Sequence, residues 1–408
     1  MYFLSLLFFT LPLYFSHVFS PFGLVIWGAY SFERQKIYVF LIILLFAYIE
    51  GLMQFSKSII NICNKYMYVL TILVISPFLS ILYYWWRLDA VFFIGSYEKH
   101  HWYIFYFSII AFVVLLVASP KAYLRKYLTW SIFSSVLVAG IAIWENSEWI
   151  LDIYRRSEML SMYPGRASST LGNPNYLAGF LLPFVPILTQ SIYTLKDKYW
   201  KQVRVFMSSI CMLWIILGWI YTTGSYIAVF LVWLLGLWYC LIYLMRSIPF
   251  WRQVIVLFFC FVAFIFVLLY CIEPIKFLSL ESRFILMKET LSIMLQNPLS
   301  FFLGFWPDSI LIYFSQIRSS LVNLYFPSGM LIDSSHNLLI DILFQYGIIP
   351  IFLLFFFLYQ VRKHILSSVG IGILLVLLFL LLNVFIITHI VLLILLIVYI
   401  SRTSNASK

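Results

Sequence analysis

Long apolar runs alternate with short polar connections along the 408 residues of the chain. Lipid cannot satisfy backbone polar groups, so a membrane-spanning segment has to be a helix of about 20 apolar residues. The pattern predicts about twelve such helices, the first being one long span or a re-entrant pair. The predicted spans are residues 3–30, 37–55, 66–86, 102–118, 127–144, 171–193, 205–220, 222–245, 254–272, 336–360, 365–382 and 384–400.

The composition supports a membrane protein. The chain is 64% hydrophobic and 10% charged, whereas soluble domains are roughly half apolar and a quarter charged. No soluble fold of this length could bury so much apolar surface in one core. The sequence therefore predicts an all-α bundle in which residues 1–408 form a single integral membrane domain. The first apolar segment lacks a basic leader and is expected to be an uncleaved membrane helix.

The distribution of positive charge predicts the orientation. Most of the 26 Lys and Arg residues lie in alternate connections and in the tail, and such residues mark the cytoplasmic side. Both termini are therefore expected in the cytoplasm, and the long segment 273–335 is expected to form a large, partly helical loop outside it. The net charge of +11 is spread thinly and does not favour nucleic-acid binding. The positively charged segments are residues 56–65, 119–126, 194–204, 246–253, 361–364 and 401–408.

Two helices are predicted within the outer loop. Residues 281–296 read as a short helix that ends before an Asn-Pro pair. Residues 308–326 read as a second helix, apolar enough to lie along the membrane surface.

The first candidate site is the segment from Arg166 to Asn175. Asn173 followed by Pro174 is a strong helix start, since the side chain caps the helix and proline needs no N–H partner there. Arg166 would lie beside that helix N-terminus, where free amides attract anions. A cap with a snorkelling arginine at the interface explains the same residues equally well.

The second candidate is Arg283, near the start of the predicted outer helix 281–296. A guanidinium can bind a phosphate through two parallel hydrogen bonds, which lysine cannot do. The structural alternative is a solvated cation that pairs with Glu281 or Glu289.

The third candidate is the run from Asp333 to Asn337, which leads into the predicted helix 336–360. A histidine at a helix N-terminus meets positive potential, which favours the neutral imidazole that accepts a proton. In this interpretation His336 is a general base, Asp333 orients its ring and Ser335 caps the helix. The structural alternative is an interfacial histidine.

Four polar residues lie within the predicted spans or their hairpins. A charge inside a span is costly and functional by default. Asp341 follows His336 closely and is expected at the same site, while Glu50 is expected either to serve a function or to reach an interface. Asn383 and His389, in the last hairpin, are expected to hydrogen-bond between helices.

Four segments resemble, in sequence and in their order along the chain, segments of the O-antigen ligase and O-antigen polymerase family of bacterial glycosyltransferases. They are SSTLGNPNYLAGFL, TTGSY at 222–226, SRFILMKETLSIMLQNPLSFFLGF and HNLLIDILFQYGIIPIFLL. The resemblance covers roughly residues 160–360, and its specificity comes from the order of the pieces and their membrane side. One position departs from the family pattern, because Tyr226 stands where the family usually has an arginine.

The resemblance implies a GT-C-like helical fold in the bacterial inner membrane, with the active site on the periplasmic face. It implies a metal-independent, inverting glycosyltransferase without a cofactor, acting on an undecaprenyl-pyrophosphate-linked glycan and a lipid A-core or glycan acceptor. The resemblance implies that His336 is the catalytic base and that Arg283 is the cation facing the leaving group. The expected substrate-binding residues are Arg166, Asn173, Asn175, Tyr226, Asp333 and Asn337.

Alternatives stay open on the sequence. A ligase and a polymerase would share the donor site, with ligase slightly favoured by the loop pattern. A lipid-linked glycan flippase or another multi-pass transporter would need intramembrane charges along a path and pseudo-repeated halves. A non-catalytic scaffold would leave His336 and Arg283 dispensable.

Overall fold

The protein is all-helical wherever the computed structural model describes it, as the sequence predicts. The described residues are 2–13, 30–73, 75, 103–145, 171, 173–195, 211–218, 220, 225–245, 274–296, 298–305, 309–316, 319–326, 332, 334–381, 383 and 387–404. The α-helices are α1 (Tyr2–Leu13), α2 (Tyr30–Lys65), α3 (Tyr103–Ala118), α4 (Lys121–Glu145), α5 (Pro174–Leu181), α6 (Phe184–Leu195), α7 (Tyr226–Met245), α8 (Pro274–Leu295), α9 (Pro298–Leu303), α10 (Ser309–Gln316), α11 (Ser320–Tyr325), α12 (Leu338–Tyr346), α13 (Ile348–Val361), α14 (Ser368–Leu380) and α15 (Ile387–Ser404).

Two helical stretches among the described residues are long and apolar enough to cross a membrane by length and composition. They are Val39–Lys65, within α2, and Pro174–Ile192, which runs through α5 and α6. Shorter apolar helices accompany them at Tyr2–Leu13, Phe107–Ala118, Ile227–Gly236, Ser368–Leu380 and Thr388–Arg402.

Helix α15 lies at the centre of the bundle and packs against α1 to α5, α13 and α14. One side of it contributes Leu395 and Val398 to a core shared with α1 to α4. Another side contributes Leu392 and Leu396 to a core shared with α5, α6, α7 and α14. Because α15 belongs to both cores, residues at its start lie where the two halves of the bundle meet.

Glu50 has a structural partner in α1. Its carboxylate accepts hydrogen bonds from the backbone N–H groups of Tyr2 at 2.7 Å and Phe3 at 3.1 Å. A carboxylate at a helix N-terminus satisfies free donors and complements the helix dipole. Glu50 therefore anchors the start of α1 to the middle of α2, just before a kink at Phe55.

The predicted continuous helix 336–360 is wrong, because the chain breaks at Gly347 into α12 and α13. Gly347 has φ +76°, and a Cβ there would lie 2.2 Å from the carbonyl oxygen of Phe302. Gly304 has φ +72°, and its Cβ would lie 2.5 Å from the carbonyl oxygen of Gln345. Two glycines from separate segments thus let backbones approach closely, and this contact requires the break.

The segment predicted as an outer loop forms a small core of its own against α12. Its first helix begins at Pro274 rather than at residue 281. The predicted helix 308–326 is two short helices, α10 and α11. Ile310, Phe314 and Val322 turn inward, whereas Leu321 and Leu324 are exposed. The core residues are Leu286, Met294, Phe305, Ile310, Phe314, Val322, Ile332 and Phe344.

Candidate functional site

His336 occupies a strained backbone position. Its φ is +60°, and among the described residues it is the one non-glycine with a positive φ. Such a conformation costs about 1–2 kcal/mol for a residue with a Cβ. Strain of this kind persists only where the surroundings fix it, and it clusters at functional sites.

The buried carboxylate of Asp341 fixes that strained turn. Asp341 accepts a hydrogen bond from the Ser334 hydroxyl at 2.6 Å and another from the Ser335 N–H at 2.7 Å. The His336 N–H in turn donates to the Ser334 hydroxyl at 2.9 Å. With an exposed fraction of 1%, Asp341 is shielded from water, so these charge-assisted bonds hold the turn firmly. Asp341 therefore contacts the turn that carries His336.

The helix cap is Asn337, and the prediction that Ser335 caps the helix is wrong. The Asn337 Oδ1 atom accepts from the N–H groups of Leu339 at 3.0 Å and Ile340 at 3.1 Å. Ser335 instead donates its N–H to Asp341 at 2.7 Å and its hydroxyl to the carbonyl oxygen of Asn337 at 3.4 Å. The helix begins at Leu338, so His336 stands just before the cap.

Arg283 and the His336 turn meet the same short segment at the end of α14. The Arg283 Nη1 atom donates to Asn383 Oδ1 at 3.2 Å. Asn337 Nδ2 donates to the carbonyl oxygen of Leu381 at 2.9 Å. Residues far apart along the chain, on α8 and before α12, are therefore brought to neighbouring points of one segment.

Glu281 and Glu289, the expected alternative partners of Arg283, contact other side chains. Glu289 accepts from the Ser319 hydroxyl at 3.1 Å. Glu281 hydrogen-bonds Tyr325, and that bond raises the pKa of the Tyr325 phenol. Both contacts join α8 to the region of α11, so these acids hold the two helices together.

The segment at Asn173 folds as predicted. Asn173 is the N-cap of α5, with Pro174 in the first turn, and its Oδ1 accepts from the Asn175 N–H at 2.8 Å. Tyr176 then places its carbonyl oxygen 3.0 Å from Nε2 of His389 at the start of α15. The expected helix-to-helix bonds of Asn383 and His389 are confirmed.

Of three other expected site residues, the structure describes one. Arg166 and Asp333 lie outside the described residues. Tyr226 is the first residue of α7, directly after the buried Ser225.

Sequence reasoning missed two features of this region. Lys36, in α2, is buried, with an exposed fraction of 2%. Asn383 holds Arg283, which the sequence does not signal because the two residues belong to different hairpins. No group of three or more His, Cys, Asp or Glu side chains that could hold a metal ion occurs in the part of the chain that the structure describes.

Comparisons with known protein families, with curated proteins and with solved structures find no match.

Proposed function

We propose that the protein is a membrane glycosyltransferase of the O-antigen ligase and polymerase type, with a GT-C-like fold of about twelve spans. Both termini would lie in the cytoplasm of a bacterium and the active site at the periplasmic face of its inner membrane. Large apolar side chains that point out of the bundle support a lipid environment. They include Leu45 and Met53 on α2, exposed by 60% and 83%, and Phe352 on α13, exposed by 66%.

The observation that carries this proposal is the shared anchoring of a guanidinium and a strained histidine turn. Arg283 binds Asn383, and Asn337, next to His336, binds the backbone of Leu381. A half-buried arginine anchored to the same segment as a histidine turn is suited to a reaction that expels an anion and takes up a proton.

The reaction would join an acceptor hydroxyl to a glycan carried on undecaprenyl pyrophosphate. The acceptor oxygen attacks the anomeric carbon, and the bond from that carbon to the phosphate oxygen breaks. The electron pair leaves with the pyrophosphate, whose growing negative charge Arg283 offsets. The hydroxyl proton passes to the neutral imidazole of His336. In-line displacement inverts the anomeric centre, and no nucleotide or metal is required.

The two intramembrane acids that a transporter would use have structural partners here. Glu50 binds the first amides of α1. Asp341 braces the turn before α12. These bonds give both acids a structural role that does not depend on transport.

The test is release of undecaprenyl pyrophosphate by purified protein from a glycan-charged carrier, with divalent cations chelated. His336→Ala and Arg283→Ala are each expected to lower the rate by roughly 100-fold or more. Two controls lie away from the site: Lys288→Ala, an exposed cation on the same helix as Arg283, and His364→Ala. Both are expected to stay within about twofold of wild type. Wild-type rates from both site variants, with the protein folded, would contradict the proposal.

The acceptor separates a ligase from a polymerase. In the same assay a ligase would transfer the glycan to lipid A-core. A polymerase would extend a second carrier-linked glycan and leave lipid A-core unmodified.

A further inference from the structure

Asp341 carries a buried carboxylate that the proposed reaction does not use directly. Its side chain has an exposed fraction of 1%, whereas His336 is partly exposed. Solvent therefore reaches the histidine, while the carboxylate is covered. Keeping a carboxylate away from water is costly unless hydrogen bonds compensate, so the groups that Asp341 bonds indicate its role.

Two hydrogen bonds in series run from the backbone of His336 to this carboxylate. The His336 N–H donates to the Ser334 hydroxyl at 2.9 Å, and that hydroxyl donates to Oδ2 of Asp341 at 2.6 Å. The second length is typical of a hydroxyl that donates to an ionised carboxylate. A hydroxyl has one hydrogen to donate, and in this series Asp341 accepts it. The series therefore needs both the hydroxyl of Ser334 and the acceptor oxygen of Asp341.

Both chain neighbours of His336 are bonded to other parts of the fold. On one side, Oδ1 of Asp341 accepts from the Ser335 N–H at 2.7 Å. On the other side, Asn337 caps α12 and donates to the carbonyl oxygen of Leu381 at 2.9 Å. His336 keeps its φ of +60° between these two points. Strain of this kind persists because the surrounding bonds hold the backbone on either side.

The φ of His336 determines the direction of its imidazole. Rotation about the N–Cα bond changes the direction in which Cβ leaves the backbone, so a turn relaxed to the ordinary negative φ would present the ring elsewhere. A general base has to lie within hydrogen-bond reach of the proton that it takes up. A misplacement of about 1 Å can lower a rate by roughly 100-fold. Fixing φ at His336 therefore fixes the position of the base.

We propose that Asp341, acting through Ser334, is a positioning residue that holds the imidazole of His336 in place for proton transfer. This inference rests on the proposed function, in which His336 is the base. Asp341 takes up no proton and touches no substrate. Its effect on the rate is exerted entirely through His336, and a residue that only stabilised the fold would not have that property.

Asp341→Asn and Ser334→Ala break this series of bonds with little change of shape. Asparagine presents one acceptor oxygen, so it can accept from the Ser335 N–H or from the Ser334 hydroxyl, and the other bond is lost. Ser334→Ala removes the hydroxyl and leaves the carboxylate in place. The matched control is Glu289→Gln, because Glu289 also accepts from a serine hydroxyl, that of Ser319 at 3.1 Å, in a contact that joins α8 to α11.

The experiment measures kcat and KM for the release of undecaprenyl pyrophosphate from a glycan-charged carrier by purified protein. Rates are divided by the amount of protein that binds undecaprenyl pyrophosphate, so that misfolded molecules do not count. Asp341→Asn and Ser334→Ala are each expected to lower kcat by roughly 10- to 100-fold. KM is expected to change by less than about twofold, because Arg283 keeps its bond to Asn383. Glu289→Gln is expected to keep both values within about twofold of wild type.

A double-mutant cycle with His336→Ala separates positioning from structure. Once the imidazole is gone, Asp341 has nothing left to position, so adding Asp341→Asn is expected to change the rate of His336→Ala by less than about twofold. A residue needed only for folding would lower the rate again by its full factor. Ser334→Ala and Asp341→Asn combined should lose no more than the larger of their single losses, since both break the same series of bonds.

A wild-type kcat in Ser334→Ala would overturn the positioning role, and so would losses from His336→Ala and Asp341→Asn that multiply in the double variant. If His336→Ala leaves no measurable release, the combination of Ser334→Ala with Asp341→Asn decides, and multiplied losses there would overturn the role as well. In all these cases a loss of release in His336→Ala would leave the proposed function standing. A wild-type rate in His336→Ala would count against the proposed function itself.

Discussion

Substituting His336 by glycine and by alanine measures the strain in its turn without any catalytic assay. At φ +60° a residue with a Cβ pays about 1–2 kcal/mol that glycine does not pay. Glycine loses about 0.5–1 kcal/mol more backbone entropy on folding, which offsets part of this difference. The net expectation is that His336→Gly is more stable than His336→Ala by about 1 kcal/mol.

The measurement is the free energy of unfolding of both variants in mixed detergent micelles. The matched pair Lys288→Ala and Lys288→Gly, at an exposed helical position on α8, is expected to show the opposite order by about 1 kcal/mol. Adding Asp341→Ala should shrink the difference at His336, because the turn can then relax. If His336→Ala is as stable as His336→Gly in the native background, the strain does not exist and the argument for a fixed turn fails.

Three further outcomes are expected. Gly347→Ala should lower the free energy of unfolding by about 2–5 kcal/mol, since the new Cβ would lie 2.2 Å from the Phe302 carbonyl oxygen. The control is Gly140→Ala, which has open space around its Cβ and should be neutral or stabilising in the same measurement. Glu50→Gln should lower the free energy of unfolding by about 1 kcal/mol, because the first amides of α1 lose a charged acceptor. An unchanged free energy of unfolding would show that Glu50 does not stabilise the start of α1. Asn383→Leu removes the hydrogen bond that positions Arg283 and should raise the KM for the glycan-charged carrier by roughly tenfold. An unaltered KM would show that Arg283 does not need its bond to Asn383.

Local signals in the sequence predicted the elements that depend on neighbouring residues alone. The cap at Asn173 needs only a short polar side chain followed by proline, and the structure confirms it. The helix predicted at 102–118 follows from an uninterrupted apolar run, and α3 spans nearly the same residues. The all-helical architecture follows in the same way, because a helix pairs the backbone N–H and C=O groups of each apolar run within that run.

Where two neighbouring residues could play the same structural role, contacts with other parts of the chain indicate which of them does. Ser335 and Asn337 are both good capping residues, and Asn337 is the cap that also bonds a distant partner, the carbonyl oxygen of Leu381. The break at Gly347 has a local signal, because a glycine followed three residues later by Pro350 is typical of a helix end, and the contact with Phe302 and Gly304 adds to it. A helix pattern cannot register a neighbour that arrives from another part of the chain.

The sequence by itself determined the helical class and identified Arg283 and His336 as residues with suitable chemistry. Tertiary structure alone decided that Arg283 reaches Asn383 and that the turn of His336 is anchored at Leu381 through Asn337. It alone placed Tyr176 against His389. Periodicity encodes which face of a helix is apolar, but the pairing of two faces depends on how whole helices pack, and that packing is a property of the bundle as a whole.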